Sequence, residues 1–178
     1  MLDLNAGQEV DLYLADGTIY SNTAQLICFN GIYYDPASPD LARPMQEVAW
    51  SLQRNASLTA PDSNLEVTFD SIEVNEGSAY NETTNEVTIS VPGYYFMHVN
   101  AGALSGLRVD MRILRNSTQE AVLRRDSTTH QGVDTLGRSV LAYLNRNDVI
   151  TVEIGEDSGV FSNVNHQTSF TGFLIVNR

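Results

Sequence analysis

Residues 87–99, VTISVPGYYFMHV, limit the possible folds more than any other stretch of the chain. A β-strand turns successive side chains to opposite faces. A strand apolar at alternate positions needs one core, whereas one apolar at nearly every position needs cover on both faces. Val87, Ile89 and Val91 lead into Pro92-Gly93, and Tyr94, Tyr95, Phe96, Met97 and Val99 follow. The Pro-Gly pair predicts punctuation between two strands: proline removes a ladder donor and glycine permits a turn. The aromatic strand needs a second burial partner, and a neighbouring copy of the chain would supply it. The alternative is that one chain covers both faces by itself.

The rest of the sequence repeats the strand signal. Short apolar runs separated by turn residues predict strands near 48–53, 65–74, 86–91, 94–104, 107–115, 120–125, 138–144, 148–154 and 168–177. That spacing predicts an antiparallel sandwich or barrel. Upstream, Asp16-Gly17 and Asn30-Gly31 are hairpin dipeptides, so residues 10–34 read as two hairpins in a row. Pro36, Pro39 and Pro44 make 35–46 a linker, since proline cannot sit inside a central strand. The division predicted is 1–34 as a short β-hairpin segment, 35–46 as a Pro-rich linker and 47–178 as the main domain. A segment as short as 1–34 is too small for its own core. It should lie against the main domain, a sister chain or a foreign surface, through Leu12, Tyr13, Leu14, Ile27, Phe29 and Tyr33.

Composition removes several classes of function. The 178-residue chain carries a formal charge of -12, and all its basic residues are Arg. An acidic surface repels phosphate backbones, so nucleic acid is not an expected partner. No apolar run is long enough to span a bilayer as a helix. The opening MLDLNAGQEV has no basic start and no apolar stretch of signal-peptide length, so a leader is either absent or already removed. Cys28 stands alone, which rules out an intrachain disulfide. His98, His130 and His166 share no metal-ligand spacing, and no serine sits in a nucleophile elbow. The expectation is a protein that is not an enzyme and requires no cofactor. Asn55-Ala-Ser, Asn81-Glu-Thr and Asn116-Ser-Thr are sequons, at a number that chance alone would give.

An ordered set of motifs points further. Phe69 is followed by Asn75, Tyr80, Gly93 and Tyr95 at the spacing of the complement C1q globular-head family, within the tumour-necrosis-factor-like superfamily. VAWSLQ (48–53) resembles that family's first strand, SVLAYLNRNDVITVEI (139–154) its late pair of strands, and SFTGFLIV (169–176) its closing strand. Val87, Met97 and Val99 stand where the family usually has Phe or Tyr, and all three remain apolar. The resemblance covers residue 48 to the end. It implies an all-β, ten-stranded antiparallel jelly-roll sandwich that assembles as a homotrimer. Core and trimer packing would fall to Phe69, Asn75, Tyr80, Gly93, Tyr95, Met97, Phe170, Gly172 and Phe173. Gly172, inside the last strand, would allow a close backbone approach. Some members of the family hold calcium with two Asp side chains before a Ser-Val-Leu strand. Asp126 and Asp134 stand at matching distances before Ser139-Val140-Leu141, and calcium favours several hard oxygen ligands. The other reading of those residues is a solvated polar loop, with Asp126 paired to Arg124 or Arg125.

Two functional readings remain open. In the first, the chain is a non-enzymatic homotrimeric cement or decoration protein on the surface of a phage or virus capsid, docked to shell subunits through residues 1–46. The lack of a leader, collagen-like stalk or disulfide, and an opening GQEVDLY similar to that of some phage head-surface proteins, motivate it. In the second, it is a secreted animal C1q-domain recognition protein that binds carbohydrate, lipid or protein ligands outside the cell.

Overall fold

The computed structural model describes residues 48–60, 62–103, 106–126 and 134–177. The expected N-terminal hairpins and Pro-rich linker, with Leu12, Tyr13, Leu14, Ile27, Phe29 and Tyr33, lie outside the described residues. The described residues hold strands and no helix. The strands are β1 (Ala49–Gln53), β2 (Leu58–Ala60), β3 (Leu65–Glu66), β4 (Ser71–Glu76), β5 (Tyr80–Asn81), β6 (Glu86–Thr88) and β7 (Gly93–Ala103). They continue with β8 (Val109–Arg115), β9 (Thr118–Arg125), β10 (Thr135–Leu144), β11 (Val149–Ile154), β12 (Ser158–Phe161) and β13 (Ser169–Asn177). The run read as one strand over 65–74 is two pieces, and β2, β5 and β12 are too short to show a period-2 pattern.

Two antiparallel sheets stack face to face as a jelly roll. The first has the order β2-β12-β7-β13-β1-β4, with β10 on the other edge of β7. The second has the order β5-β6-β11-β8-β9, with β3 also paired to β11. Strand β7 carries the first sheet. One edge pairs with β10 from Gly93 to Gly102, and the other with β13 from Gly93 to Asn100. The last strand, β13, in turn lies between β7 and β1.

Alternation along these strands builds the core. Tyr95, Met97, Val99 and Ala101 of β7 point inward with Phe170 and Leu174 of β13 and Trp50 and Leu52 of β1. Val109, Met111 and Ile113 of β8 and Ile150, Val152 and Ile154 of β11 meet them from the second sheet. Trp50 is the largest buried side chain, and its ring centroid lies 6.1 Å from that of Tyr95 and 5.5 Å from that of Phe170. The Tyr95 hydroxyl is buried and donates to the Val91 carbonyl at 2.7 Å. Burial pushes this phenol's pKa up to about 12.

Two glycines are required for space. Gly172 pairs with Trp50 across β1 and β13, and a Cβ at 172 would press into the indole, 2.7 Å from Cη2. At Gly93 a Cβ would lie 2.7 Å from Leu174 Cδ1 and against the Val176 carbonyl oxygen. Gly93 is not among the residues with positive φ, so it serves close strand approach rather than the left-handed turn its Pro-Gly setting suggested. The Trp50 ring cannot retreat from a core already filled by Tyr95 and Phe170. Gly172→Ala should therefore cost about 2–3 kcal/mol, in the range of overpacked cores. Urea denaturation of this variant beside Thr171→Ala, which alters the outer face, will measure the difference.

Candidate interaction surface

The outer row of β7 differs from its inner row. Tyr94, Phe96, His98 and Asn100 point away from the sandwich and are only partly buried. The registers place Phe96 opposite Leu141 on β10 and Phe173 on β13, and Tyr94 opposite Tyr143. Phe173 in turn faces Ala49, and Val74 faces Ser51. Phe96 and Phe173 pack at 5.5 Å between centroids, and Tyr94 and Tyr143 meet edge to face at 5.3 Å. Phe173 is still 44% exposed, Val74 37% and Tyr143 36%. The outer rows of β7, β10 and β13 carry no Asp, Glu or Arg from Tyr94 to Asn100, Gly137 to Tyr143 and Ser169 to Phe173. A chain of charge -12 thus presents one uncharged aromatic face. Charge depletion with aromatic enrichment is the composition of an interface core.

Polar groups border this patch. His98 Nδ1 lies 2.8 Å from Ser139 Oγ, and its Nε2 lies 3.0 Å from Asn100 Oδ1, while Asn100 Nδ2 donates to Ser169 Oγ at 3.5 Å. The amide oxygen can only accept, so Nε2 carries the proton. The serine, imidazole and amide resemble a nucleophile with its base and orienting group. However, Ser139 stands mid-strand on an outer sheet face, not at the sharp turn that exposes a nucleophile beside oxyanion donors.

The residues singled out by motif separate into distinct places. Phe69, Tyr80, Tyr95, Met97 and Phe170 are buried in the core, with Phe69 6.2 Å from Phe170 and 6.4 Å from Tyr80. Phe173 lies on the aromatic face. Asn75 packs in neither place. Its Oδ1 accepts from the Tyr80 amide and its Nδ2 donates to the Tyr80 carbonyl, both at 2.9 Å, so it joins β4 to β5. Asp134 Oδ2 stands 3.7 Å from Arg125 Nη1, and Asp126 Oδ1 stands 3.9 Å from Arg124 Nε. Residues 127–133 between them lie outside the described residues. Among the described residues no group of three or more His, Cys, Asp or Glu side chains could hold a metal ion. The Asn55 and Asn81 sequons are exposed. Asn116 uses both ends of its amide: Nδ2 donates to Asp148 at 2.8 Å and Oδ1 accepts from the Val149 amide at 2.9 Å. Leu141, Tyr143 and Val74 were not anticipated; only the strand register brings them beside Phe96 and Phe173.

Charge gathers on the other sheet. Asp110 is fully buried on the outer side of β8, clamped by Arg112 Nε at 2.9 Å and Nη2 at 3.0 Å and by Arg124 Nη2 at 2.6 Å. Arg112 Nη1 reaches on to Glu153 at 3.4 Å.

A family model for the C1q domain matches residues 49–175. The chain belongs to that family. Complement C1q tumor necrosis factor-related protein 5 of Homo sapiens is 26% identical to this C1q-domain chain over 130 residues, 71% of this chain and 53% of the relative. The protein of the same name from Rattus norvegicus is 25% identical over the same shares. The chain spans about half the length of the curated relatives it matches. Among solved structures, the globular domain of zebrafish complement 1qA superposes with a TM-score of 0.59 at 20% identity, covering 74% of this chain and 99% of that one. Murine APRIL gives 0.58 at 15% identity, with 72% and 99% covered. Eiger TNF from S. frugiperda gives 0.58 at 10%, with 75% and 96% covered. These likenesses show the shared fold.

The clamp on Asp110 makes a prediction about pH. Burial pushes its carboxyl up, but the hydrogen bonds and charges of Arg112 and Arg124 outweigh that and hold it below the ordinary carboxylate range. A depressed folded-state pKa contributes stability that is present above the unfolded-state value and is lost as pH falls through the folded-state value. Asp110→Asn should destabilise by about 2–3 kcal/mol at neutral pH. It should also flatten the acid side of the stability profile, measured by urea denaturation from neutral pH down to the acid limb.

Proposed function

We propose that this chain is a non-enzymatic, extracellular recognition module of the C1q type, and that it works as a homotrimer closed through the aromatic face of its first sheet. The observation that carries this reading is the uncharged cluster of Tyr94, Phe96, Tyr143 and Phe173, left part-exposed on the outer face of β7 and its neighbours β10 and β13. An apolar face of this kind on a soluble domain calls for a partner, and each copy of the chain presents the same one. Ligand recognition then falls to the loops and the charged second sheet, which assembly leaves open to solvent. The matching relatives favour this over a capsid cement protein: they are C1q-related proteins of human and rat, and no feature of the described residues or of those relatives speaks for a shell partner.

Calcium has a place in this proposal only at Asp126 and Asp134. Those two carboxylates would have to leave Arg124 and Arg125 and be joined by further oxygens. A calcium titration that raises the Tm of the wild type but not of Asp126→Asn or Asp134→Asn would support the site. An unchanged wild-type Tm would remove it.

Light scattering decides the assembly. The full chain should have three times its 19.6 kDa mass at micromolar concentration. Phe96→Asp and Phe173→Asp should each shift it toward monomer while keeping the β-sheet circular dichroism, since neither side chain belongs to the buried core. A well-folded wild-type monomer under these conditions would overturn the reading.

A further inference from the structure

Strand β10 interrupts its own apolar row. Its core-facing positions are Leu136, Arg138, Val140, Ala142 and Leu144, and the arginine pairs across the ladder with core residue Val99. Arg138 is 8% exposed, and its Nε has no hydrogen-bond partner. None of the ion pairs among the described residues includes it. Arg112 and Arg124 close on Asp110 and Arg115 meets Glu120 at 2.6 Å, while Arg54, also buried and outside those ion pairs, donates to the Ala56 carbonyl at 3.1 Å and to Thr68 Oγ1 at 2.6 Å. A guanidinium withdrawn from water without a counter-ion is among the costlier things a fold can contain.

A second arginine faces the same flank. Arg125 ends β9 and pairs with core residue Val109, so it too lies on the core side of its strand. Strands β9 and β10 are edge strands of opposite sheets and approach each other along this flank of the sandwich. Asp134 is the carboxylate near Arg125, at 3.7 Å, and the Nη1 that faces it has no hydrogen-bond partner. Two largely buried guanidiniums therefore have donors to spare on one side of the molecule.

We propose that Arg138, together with Arg125, forms a binding site for a small oxyanion, a sulfate, phosphate or carboxylate group, between the edges of the two sheets. The guanidinium fork matches an acceptor with two or more oxygens. Burial keeps its charge from being screened by salt. A chain of charge -12 repels anions in general, so a saturable response to them requires a local site of this kind. An inward-pointing charge also blunts an edge strand against pairing with other chains, but that role is indifferent to anions, which separates the two.

The test is thermal melting of the full chain with sulfate, phosphate or acetate at low millimolar concentration, with chloride holding ionic strength constant. The wild type should show a saturable rise in Tm with at least one of the three anions. Arg138→Gln should abolish that rise, and Arg146→Gln, in an exposed turn, should keep it. Because Arg138→Gln alters a core-facing position, wild-type NMR supplies a reading that needs no variant: the Arg138 Nε–Hε resonance should shift along the same titration. A rise that grows without saturating, an equal rise in Arg138→Gln, or an unmoved Nε–Hε resonance would each overturn the site. So would an anion-indifferent wild type whose Arg138→Gln variant loses mass by light scattering, since a carboxylate of a second copy would then be the partner.

Discussion

The structure depends on one strand that is apolar on both sides. The inner row of β7, Tyr95, Met97, Val99 and Ala101, lies at the centre of the core, and both of its edges are paired to long strands. Every layer of the sandwich is located from it. The closing strand β13 lies along one edge and carries Phe170 under Trp50, while Gly172 leaves the room the indole needs. The outer row cannot be polar-solvated in the usual way, because Tyr94, Phe96 and their neighbours Leu141 and Tyr143 on β10 and Phe173 on β13 are aromatic or aliphatic. An antiparallel sheet commonly keeps one face wet, and this one does so only at its margins.

Charge is arranged around that constraint. Carboxylates and arginines are excluded from the centre of the aromatic face and collected on the second sheet, where Asp110, Arg112, Arg124 and Glu153 form one cluster. Copies that meet through the first sheet would bury little charge, and the acidic excess would remain in solvent, where it favours solubility. Short-range polar pins hold the periphery. Asn75 joins β4 to β5, and Asn116 joins the β8–β9 turn to Asp148 and Val149. Each satisfies backbone or carboxylate groups that the ladders leave open.

Much of this was legible in the sequence because strands have a fixed period. Alternation around Tyr95, Met97 and Val99 and the Pro92-Gly93 break located the central strand, and the spacing from Phe69 to Tyr95 carried the family. Motif alone did not separate Asn75, a hydrogen-bonding pin, from Phe69 and Tyr80 in the core, nor Phe173 on the outer face from Phe170 beneath it. Strands of two to four residues such as β2, β5 and β12 were missed because no period can be read over so few positions. Gly93 was read as a turn glycine, since its clash is with Leu174 and Val176, residues far off in the chain.

By itself the sequence determined a β-sandwich, its family, and the fact that one strand would be apolar on both faces. The sandwich and the two-faced strand follow from composition and side-chain alternation, and the family from the resemblance of an ordered set of motifs, all of which are read along the chain. Only the tertiary structure decided which residues join Phe96 on the aromatic face, which carboxylates Arg112 and Arg124 hold, and that Arg138 is turned inward with no carboxylate partner among the described residues. Those are matters of register between strands distant in sequence. A shift of one residue in register would move every one of these side chains to the opposite face.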